Sequence, residues 1–277
     1  MYTLNCKGRI LAIQHPLVMG IINITPDSFY TNSRATGINE ILMQAEKMLN
    51  EGADILDIGG QSTRPGSEKI SADEELTRVI EPIRAITEKF PAAFISIDTY
   101  YAAVVKEAVQ AGASIVNDIS AGSLDNKMID TVANLNVPYV LMHMQGTPQT
   151  MQKDPTYTDV TKEVLDFFIQ KKNELNKKGI KDVIIDPGFG FGKTIEHNFE
   201  LLCNLPVFKM LDAPILLGIS RKSMISKTLG IKTDDSLNGT TVLNTIGMMN
   251  GASILRVHDV KASKEAVKLF EATNTRK

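Results

Sequence analysis

Tryptophan is absent from this chain, cysteine occurs only twice, and aromatic residues make up 6% of it. Cys6 and Cys203 stand far apart, without the paired spacing of zinc ligands, so neither a disulfide framework nor a cysteine metal site is legible and a reduced compartment fits. Long apolar runs are missing too: nothing approaches the roughly 18 residues of a membrane-spanning helix. The opening MYTLNCKGRILAIQHPLVMG lacks the apolar core and small-residue cleavage site of an export signal. A cytoplasmic protein with no membrane partner is expected. Nor is there an excess of charge of one sign. The formal net charge is -2, and the densest lysine run, KKNELNKKGIK from Lys171 to Lys181, reads as a solvated helix end. Without a basic field, no nucleic-acid partner is expected.

What remains is an ordinary globular composition, 43% hydrophobic and 22% charged over 277 residues, with enough apolar material for a sizeable core. Short runs rich in Val and Ile alternate with longer amphipathic stretches, the pattern of parallel strands joined by crossover helices. Eight strands are predicted: Leu17 to Asn23, Asp54 to Gly59, Ala93 to Asp98, Ser114 to Ile119, Pro138 to Met144, Asp182 to Gly188, Pro214 to Ser220 and Ser253 to Asp259. Helical stretches such as DEELTRVIEPIRAITEKF and YAAVVKEAVQAG lie between them, most ending in glycine or a basic turn. Eight such units predict a single α/β domain over residues 1–277, a (β/α)8 TIM barrel with its active site at the C-terminal ends of the strands. A doubly wound open sheet is the other arrangement compatible with the alternation.

Three segments share one design. EGADILDIG, AGASIVNDI and NGASILRVH each end a helix in Gly-Ala, add one polar residue and continue as an apolar strand. Five residues beyond the shared glycine stand Asp57, Asn117 and Arg256, where each strand leaves its apolar stretch. Collecting the last polar residues of every strand gives Asn23, Asp57, Asp98, Asn117 with Asp118, His143, Asp186, the Ser220-Arg221-Lys222 run, and Arg256 with His258. Carboxylates and amides come from the middle strands, cations from the last two, where barrels often hold a phosphate. Such a set suits a two-ended substrate, with an amidine-like ring edge on a carboxylate and an anion on Arg, Lys and His. Several members also have plain structural readings. Asp57 reads equally as a turn or ion-pair residue, His143 as a core histidine satisfied by its neighbours, and Asp118 as a cap or turn residue.

DPGFGFGKT, Asp186 to Thr194, looks like a phosphate-binding loop but misses the GxxxxGK[ST] register, because the position of its first glycine is Pro187. Lys193 then reads as a loop or helix-start residue, and Asp186 as the informative member.

Taken in order, MGIINITPDSF (Met19 to Phe29), GGQSTRPGS (Gly59 to Ser67), ISIDTY, VNDIS, DPGFGFGK, GISRKS (Gly218 to Ser223) and RVHDV (Arg256 to Val260) resemble the dihydropteroate synthase family over nearly the whole chain. The resemblance implies a cytoplasmic TIM-barrel transferase of folate synthesis, usually a homodimer. It would join 6-hydroxymethyl-7,8-dihydropterin diphosphate to 4-aminobenzoate and release diphosphate with help from Mg²⁺. It places the pterin edge on Asp186, with Asp98, Asn117 and Lys222 around the ring. Asn23 would serve magnesium, and Arg256 and His258 the diphosphate. Thr63 and Arg64 belong to the mobile second loop. The aminobenzoate, and sulfonamides that resemble it, would lie against Phe191, Lys222 and Ser223 under Phe29 and Pro65. Asp98, Lys222 and Arg64 are the implied catalytic residues, acting by orientation and charge. After Phe29 the chain reads YTNSRATG where the family often has Ser-Asp-Gly-Gly, so first-loop contacts beyond Phe29 do not transfer. No Ser-His or Cys-His pair suggests a covalent nucleophile, in keeping with a dissociative substitution at the pterin methylene. Two other readings share the pterin pocket: a methyltransferase passing the methyl group of methyltetrahydrofolate to a corrinoid protein, and a non-catalytic pterin-binding protein. The NITPDSF, STRPG and RVH blocks favour diphosphate chemistry over the methyltransferase, and no catalytic part is lost that would favour the non-catalytic protein.

Overall fold

The computed structural model describes residues 1–24, 34–61 and 69–274. It opens with an antiparallel hairpin, β1 (Tyr2–Cys6) and β2 (Arg9–Ile13), turned by Lys7 and Gly8 at φ 55° and 83°. Two left-handed residues in succession match the right-handed twist of the flanking strands. There follow β3 (Leu17–Asn23), α1 (Arg34–Asn50), β4 (Ile55–Gly59), α2 (Ala72–Lys89), β5 (Phe94–Asp98), α3 (Ala102–Ala111), β6 (Ile115–Asp118) and α4 (Met128–Leu135). The second half comprises β7 (Tyr139–Met142), α5 (Val160–Lys177), β8 (Val183–Asp186), α6 (Ile195–Cys203), β9 (Leu216–Leu217), α7 (Ser223–Leu229), α8 (Leu237–Met249), β10 (Ile254–Val257) and α9 (Val260–Asn274).

β3 to β10 form one parallel sheet in the order β8-β7-β6-β5-β4-β3-β10-β9. The ends of that order meet, because Ile185 bridges to Ile215 and its N–H donates to the Pro214 carbonyl at 2.9 Å. The eight predicted strands therefore close into a TIM barrel. Their near-continuous apolar runs follow from having no wet face, with helices outside and a packed interior within. Outward residues such as Val18, Leu56, Ile97, Val116, Leu141, Ile185 and Leu255 share one core with the helix residues Ile41, Val79, Ile83, Val105, Val132 and Phe168. Ser71 and Asp159 cap α2 and α5, accepting the N–H groups of Glu74 and Lys162.

A second, smaller core lies inside. Leu17, Met19, Ile55, Ile115, Val140, Ile184, Leu216 and Ile254 point inward at the lower end and pack on Leu4, Cys6, Leu11 and Ile13 of the hairpin. The hairpin is thus a plug at the N-terminal end of the barrel. It is tied to the wall by Asn5 N–H on Asp182 at 2.9 Å, Lys7 on the Val109 carbonyl at 2.6 Å, and Arg9 on the Pro91 and Ala93 carbonyls at 3.1 Å. The Arg9 guanidinium also lies over the Phe94 ring, 4.2 Å from its centroid. Nothing in the strand pattern predicted this plug.

Candidate active site

Side chains alternate across a strand, so the residue two positions on from an inward one is inward too. Moving up two residues from the apolar floor converts Ile55 to Asp57, Ile115 to Asn117, Ile184 to Asp186 and Ile254 to Arg256, while Leu216 gives way to Gly218. On β4, β6, β8 and β10 the layer above the floor is therefore polar, with a gap at Gly218 beside Asp186, while Met19 and Val140 lead to the apolar Ile21 and Met142. This single step of sequence periodicity builds the mouth of the barrel.

Asp57 is the hub of that layer. Its side chain is 0% exposed, and its Oδ2 accepts from Arg256 Nε at 2.6 Å and from Asn117 Nδ2 at 3.1 Å. Arg256 reaches on to Asp98, Nη2 donating to Oδ2 at 2.5 Å. One guanidinium thus spans two buried carboxylates, holding residues of β4, β5, β6 and β10 together. Among the described residues, Asp57 Oδ1 is buried without a hydrogen-bond partner. Its structural role and its place in the site coincide. Burial pushes Asp98 above the usual carboxylate range; Arg256 pulls it back, and Asp57 adds to the rise. For Arg256, burial works against the charge, but Asp57 and Asp98 outweigh it and hold the guanidinium above its ordinary value.

Asp186 ends β8. Its Oδ1 accepts the Gly188 N–H at 2.8 Å, and burial raises its pKa against the opposing charge of Lys222. Lys222, at the start of α7, donates to the Phe189 carbonyl and lies 4.6 Å from the Phe191 ring centroid. Burial of its ammonium brings it down to about 8, with Asp186 acting in the other direction. Phe191 joins Tyr100, Ile119, Met142, Tyr101, Leu124 and Met144 in an apolar cluster that flanks the polar layer. Ser223 is exposed at the first position of α7. Asn23 is exposed at the end of β3. His258 Nδ1 is 3.1 Å from Ser220 Oγ, which also accepts the His258 backbone N–H at 3.2 Å. Arg221, at φ 55°, points away to make a bidentate pair with Asp259 at 2.8 and 2.9 Å.

The structure thus brings Asp98, Asn117, Asp186, Lys222, Arg256 and Phe191 to the same end of the barrel. Phe29, Thr63, Arg64 and Pro65 lie outside the described residues. Asp118 is a turn residue, accepting from the Ser120 N–H and hydroxyl, the Gly122 N–H and the Tyr139 hydroxyl at 2.7 to 2.8 Å. His143 is buried and satisfied, with Lys193 Nζ 2.9 Å from its Nδ1. Two groups escaped the sequence reading. Lys193 is no mere loop residue, being 3% exposed with its ammonium enclosed by acceptors. Glu75 is buried at the start of α2, accepts the Thr99 hydroxyl at 2.7 Å, and is raised to about 7 by burial. In sequence it is one of three acids in a helix first turn, where exposure is the ordinary expectation.

A closed barrel whose mouth sets carboxylates and an amide beside cations defines an α/β-barrel enzyme for a planar, hydrogen-bonding substrate that carries negative charge. A family model described as pterin binding enzyme matches residues 19–258. Dihydropteroate synthase of Escherichia coli K12 is 43% identical over 269 residues, covering 96% of this chain and 95% of that protein. Among solved structures, the Yersinia pestis dihydropteroate synthase in complex with a sulfonamide drug superposes with a TM-score of 0.93 at 39% identity, covering 99% of this chain and 100% of that one. The Xanthomonas albilineans dihydropteroate synthase in complex with 7,8-dihydropteroate gives 0.89 at 37% identity, with 100% of both chains covered. The chain belongs to the dihydropteroate synthase family of pterin-binding transferases.

Proposed function

We propose that this barrel mouth binds 6-hydroxymethyl-7,8-dihydropterin diphosphate and 4-aminobenzoate and joins them to 7,8-dihydropteroate, with release of diphosphate. The observation that carries the assignment of roles is the inward set Asp57, Asn117, Asp186 and Arg256, one step above an apolar floor, joined through Arg256 to Asp98. The pterin ring enters deepest. Its guanidine-like edge donates to Asp186, and Asp98, Asn117 and Lys222 meet the rest of the ring. A carboxylate accepting two parallel N–H donors in a dry site gives both affinity and orientation.

The bond broken is the one between the pterin methylene carbon and the diphosphate oxygen, and its electron pair leaves with diphosphate. Positive charge left on carbon is shared by the electron-rich ring, and the amine nitrogen of aminobenzoate attacks to form the new C–N bond, later losing a proton. Asp98 and Lys222 act here as fixed charges around the ring, and no covalent enzyme intermediate is required. Arg256 and His258, with Thr63 and Arg64 of the second loop, serve the anionic end. Phe191, Lys222 and Ser223 form the aminobenzoate side, to which Phe29 and Pro65, outside the described residues, would also contribute, and exclusion of water removes a rival nucleophile.

Magnesium fits this arrangement. Asn23 offers an oxygen donor at an exposed strand end, the donor type that a hard divalent cation takes. When bound, Mg²⁺ neutralises charge on the departing diphosphate.

Two coarser features complete the reading. No helix among the described residues is long and apolar enough to cross a membrane, and a cytoplasmic location accords with that. A homodimer accords with an apolar groove outside the barrel, away from the charged mouth, where Leu237, Met249, Leu269 and Phe270 lie between α8 and α9. Met249 and Leu269 are each 70% exposed there, and light scattering tests the dimer. For the reaction itself, the two substrates and Mg²⁺ are supplied together, and diphosphate and dihydropteroate are both measured. Folded protein that forms neither product overturns the proposal.

A further inference from the structure

The loop from Pro187 to Thr194 differs from a phosphate-binding loop in more than register. In a phosphate loop, successive amide N–H groups turn toward an anion. Here Gly188, Gly190 and Gly192 take φ of 70°, 79° and 63°; the N–H groups of Gly188 and Gly190 are already held by Asp186 Oδ1 at 2.8 Å and Asn198 Oδ1 at 2.7 Å, and the carbonyls find side-chain donors. Every carbonyl from 188 to 192 accepts from a side chain: Gly188 and Phe191 from Lys193 at 3.0 Å each, Phe189 from Lys222, Gly190 from Gln152 at 2.7 Å, and Gly192 from the Tyr157 hydroxyl at 2.8 Å. Three of these five carbonyls hold ammonium groups, those of Lys193 and Lys222.

Lys193 is the buried centre of the loop. Besides the two loop carbonyls, its Nζ lies 2.9 Å from His143 Nδ1 and 3.3 Å from the His143 carbonyl, at the end of β7. As an ammonium, Lys193 has three hydrogens and no acceptor, and His143 then presents a bare Nδ1 to it; burial brings the lysine down to about 7, with Asp186 acting in the other direction. Burial and the adjacent lysine charge hold the imidazole neutral, well below its ordinary value. Gly188 could not be replaced without loss, because a Cβ there would collide with the His143 carbonyl oxygen. The lysine therefore joins the β7 end to the turn that carries Phe191, and the Phe191 ring in turn rests against Lys222.

We propose that Lys193 is a positioning residue for the aminobenzoate half of the reaction: by bridging His143 Nδ1 to the carbonyls of Gly188 and Phe191, it fixes the Phe191 ring beside Lys222. This rests on the substrate assignment above. It also separates two parts of one loop. Asp186 is anchored by strand β8 and by Gly188 N–H, and the charge of Lys193 acts on it after those of Lys222 and Arg256, so the pterin edge depends on Lys193 less than does the placement of Phe191, whose carbonyl the lysine holds directly.

The test compares the full-length protein with Lys193→Met, which has no donor, and Lys193→Gln, which keeps two. Steady-state rates are taken with dihydropterin diphosphate and 4-aminobenzoate varied separately. Lys193→Met raises KM for aminobenzoate by about tenfold or more and leaves KM for the pterin diphosphate within about threefold, with Lys193→Gln intermediate. A purely structural lysine raises both together, and that result, or no change in either, overturns the proposal. Hydrogen exchange gives a readout that needs no turnover: amides of residues 188–194 exchange faster in Lys193→Met while β8 keeps its protection. Unchanged exchange in the loop also overturns it. If Lys193→Met does not fold, Lys193→Gln is read by the same two criteria. A wild-type protein that makes no dihydropteroate refutes the substrate assignment instead, and the exchange experiment then decides the role of Lys193 in the loop.

Discussion

Replacing Arg256 with methionine keeps much of the side-chain volume but removes the charge that spans Asp57 and Asp98. Both carboxylates are buried, and each loses a charge-assisted hydrogen bond, of 2.6 Å and 2.5 Å respectively. Breaking a buried ion pair by removing one partner costs about 3–5 kcal/mol, a large share of the roughly 5–15 kcal/mol that stabilises a typical domain. At about 2–4 °C per kcal/mol for a chain of this size class, Tm should fall by about 6–20 °C. The penalty also carries a pH signature. Asp98 is already raised in the folded protein by burial, and Arg256 is the chief influence pulling it back, so without Arg256 its folded value rises further. A carboxyl raised by folding binds more protons in the folded state than in the unfolded one. Its contribution to stability is therefore lost as pH rises from the unfolded value through the folded value. That window is wider in the variant, so the loss of Tm must be greater at about pH 8 than at about pH 6. Thermal unfolding of wild type and Arg256→Met at both pH values, with Asp57→Asn and the double variant completing a cycle, measures it. The double variant should be more stable than the sum of the single losses predicts, by about 0.5–3 kcal/mol, because one orphaned charge has been removed. A loss below about 1 kcal/mol, the scale of an exposed pair, or equal losses at both pH values, refutes the view that this layer depends on one guanidinium.

Two further outcomes follow from the same geometry. Asp186→Asn should weaken binding of a free pterin by about 10- to 150-fold, the worth of a hydrogen bond to a charged group at about 1.5–3 kcal/mol, as read by titration calorimetry; normal binding would remove Asp186 from the pterin edge. Leu4→Ala, in the plug, should cost about 2–5 kcal/mol in chemical denaturation and leave kcat nearly unchanged, and a large fall in kcat at full folding would mean that the plug shapes the mouth directly.

Much of this molecule was legible from period alone. The strands showed as Val- and Ile-rich runs because a barrel strand is buried on both faces, and Asp57, Asn117 and Arg256 stood out because a polar residue ending such a run has few places to go. What escaped depends on contacts distant in sequence. The plug is two five-residue strands whose alternation at Leu4, Cys6, Leu11 and Ile13 spans only one Lys-Gly turn, and its partners come from strands throughout the chain. Lys193 sits beside a helix start, where a lysine is ordinarily solvated. Only the approach of His143, 50 residues earlier, makes it a buried bridge. Glu75 is hidden for the same reason, its partner Thr99 lying 24 residues away. Arg256 was read as a rim cation, yet it reaches Asp57 across 199 residues of chain, an ion pair that only closure of the barrel brings into contact.

The hairpin beneath the barrel has a consequence for traffic. A vessel stoppered at one end has a single door, so whatever lies deepest enters first and leaves last. An analogue of aminobenzoate lodged at the lip would act as a cork, detaining the pterin beneath it without touching Asp186, Asp98 or Asn117. Inhibition by such a molecule should deepen as the pterin diphosphate concentration rises, since the cork has most to trap when the vessel is full.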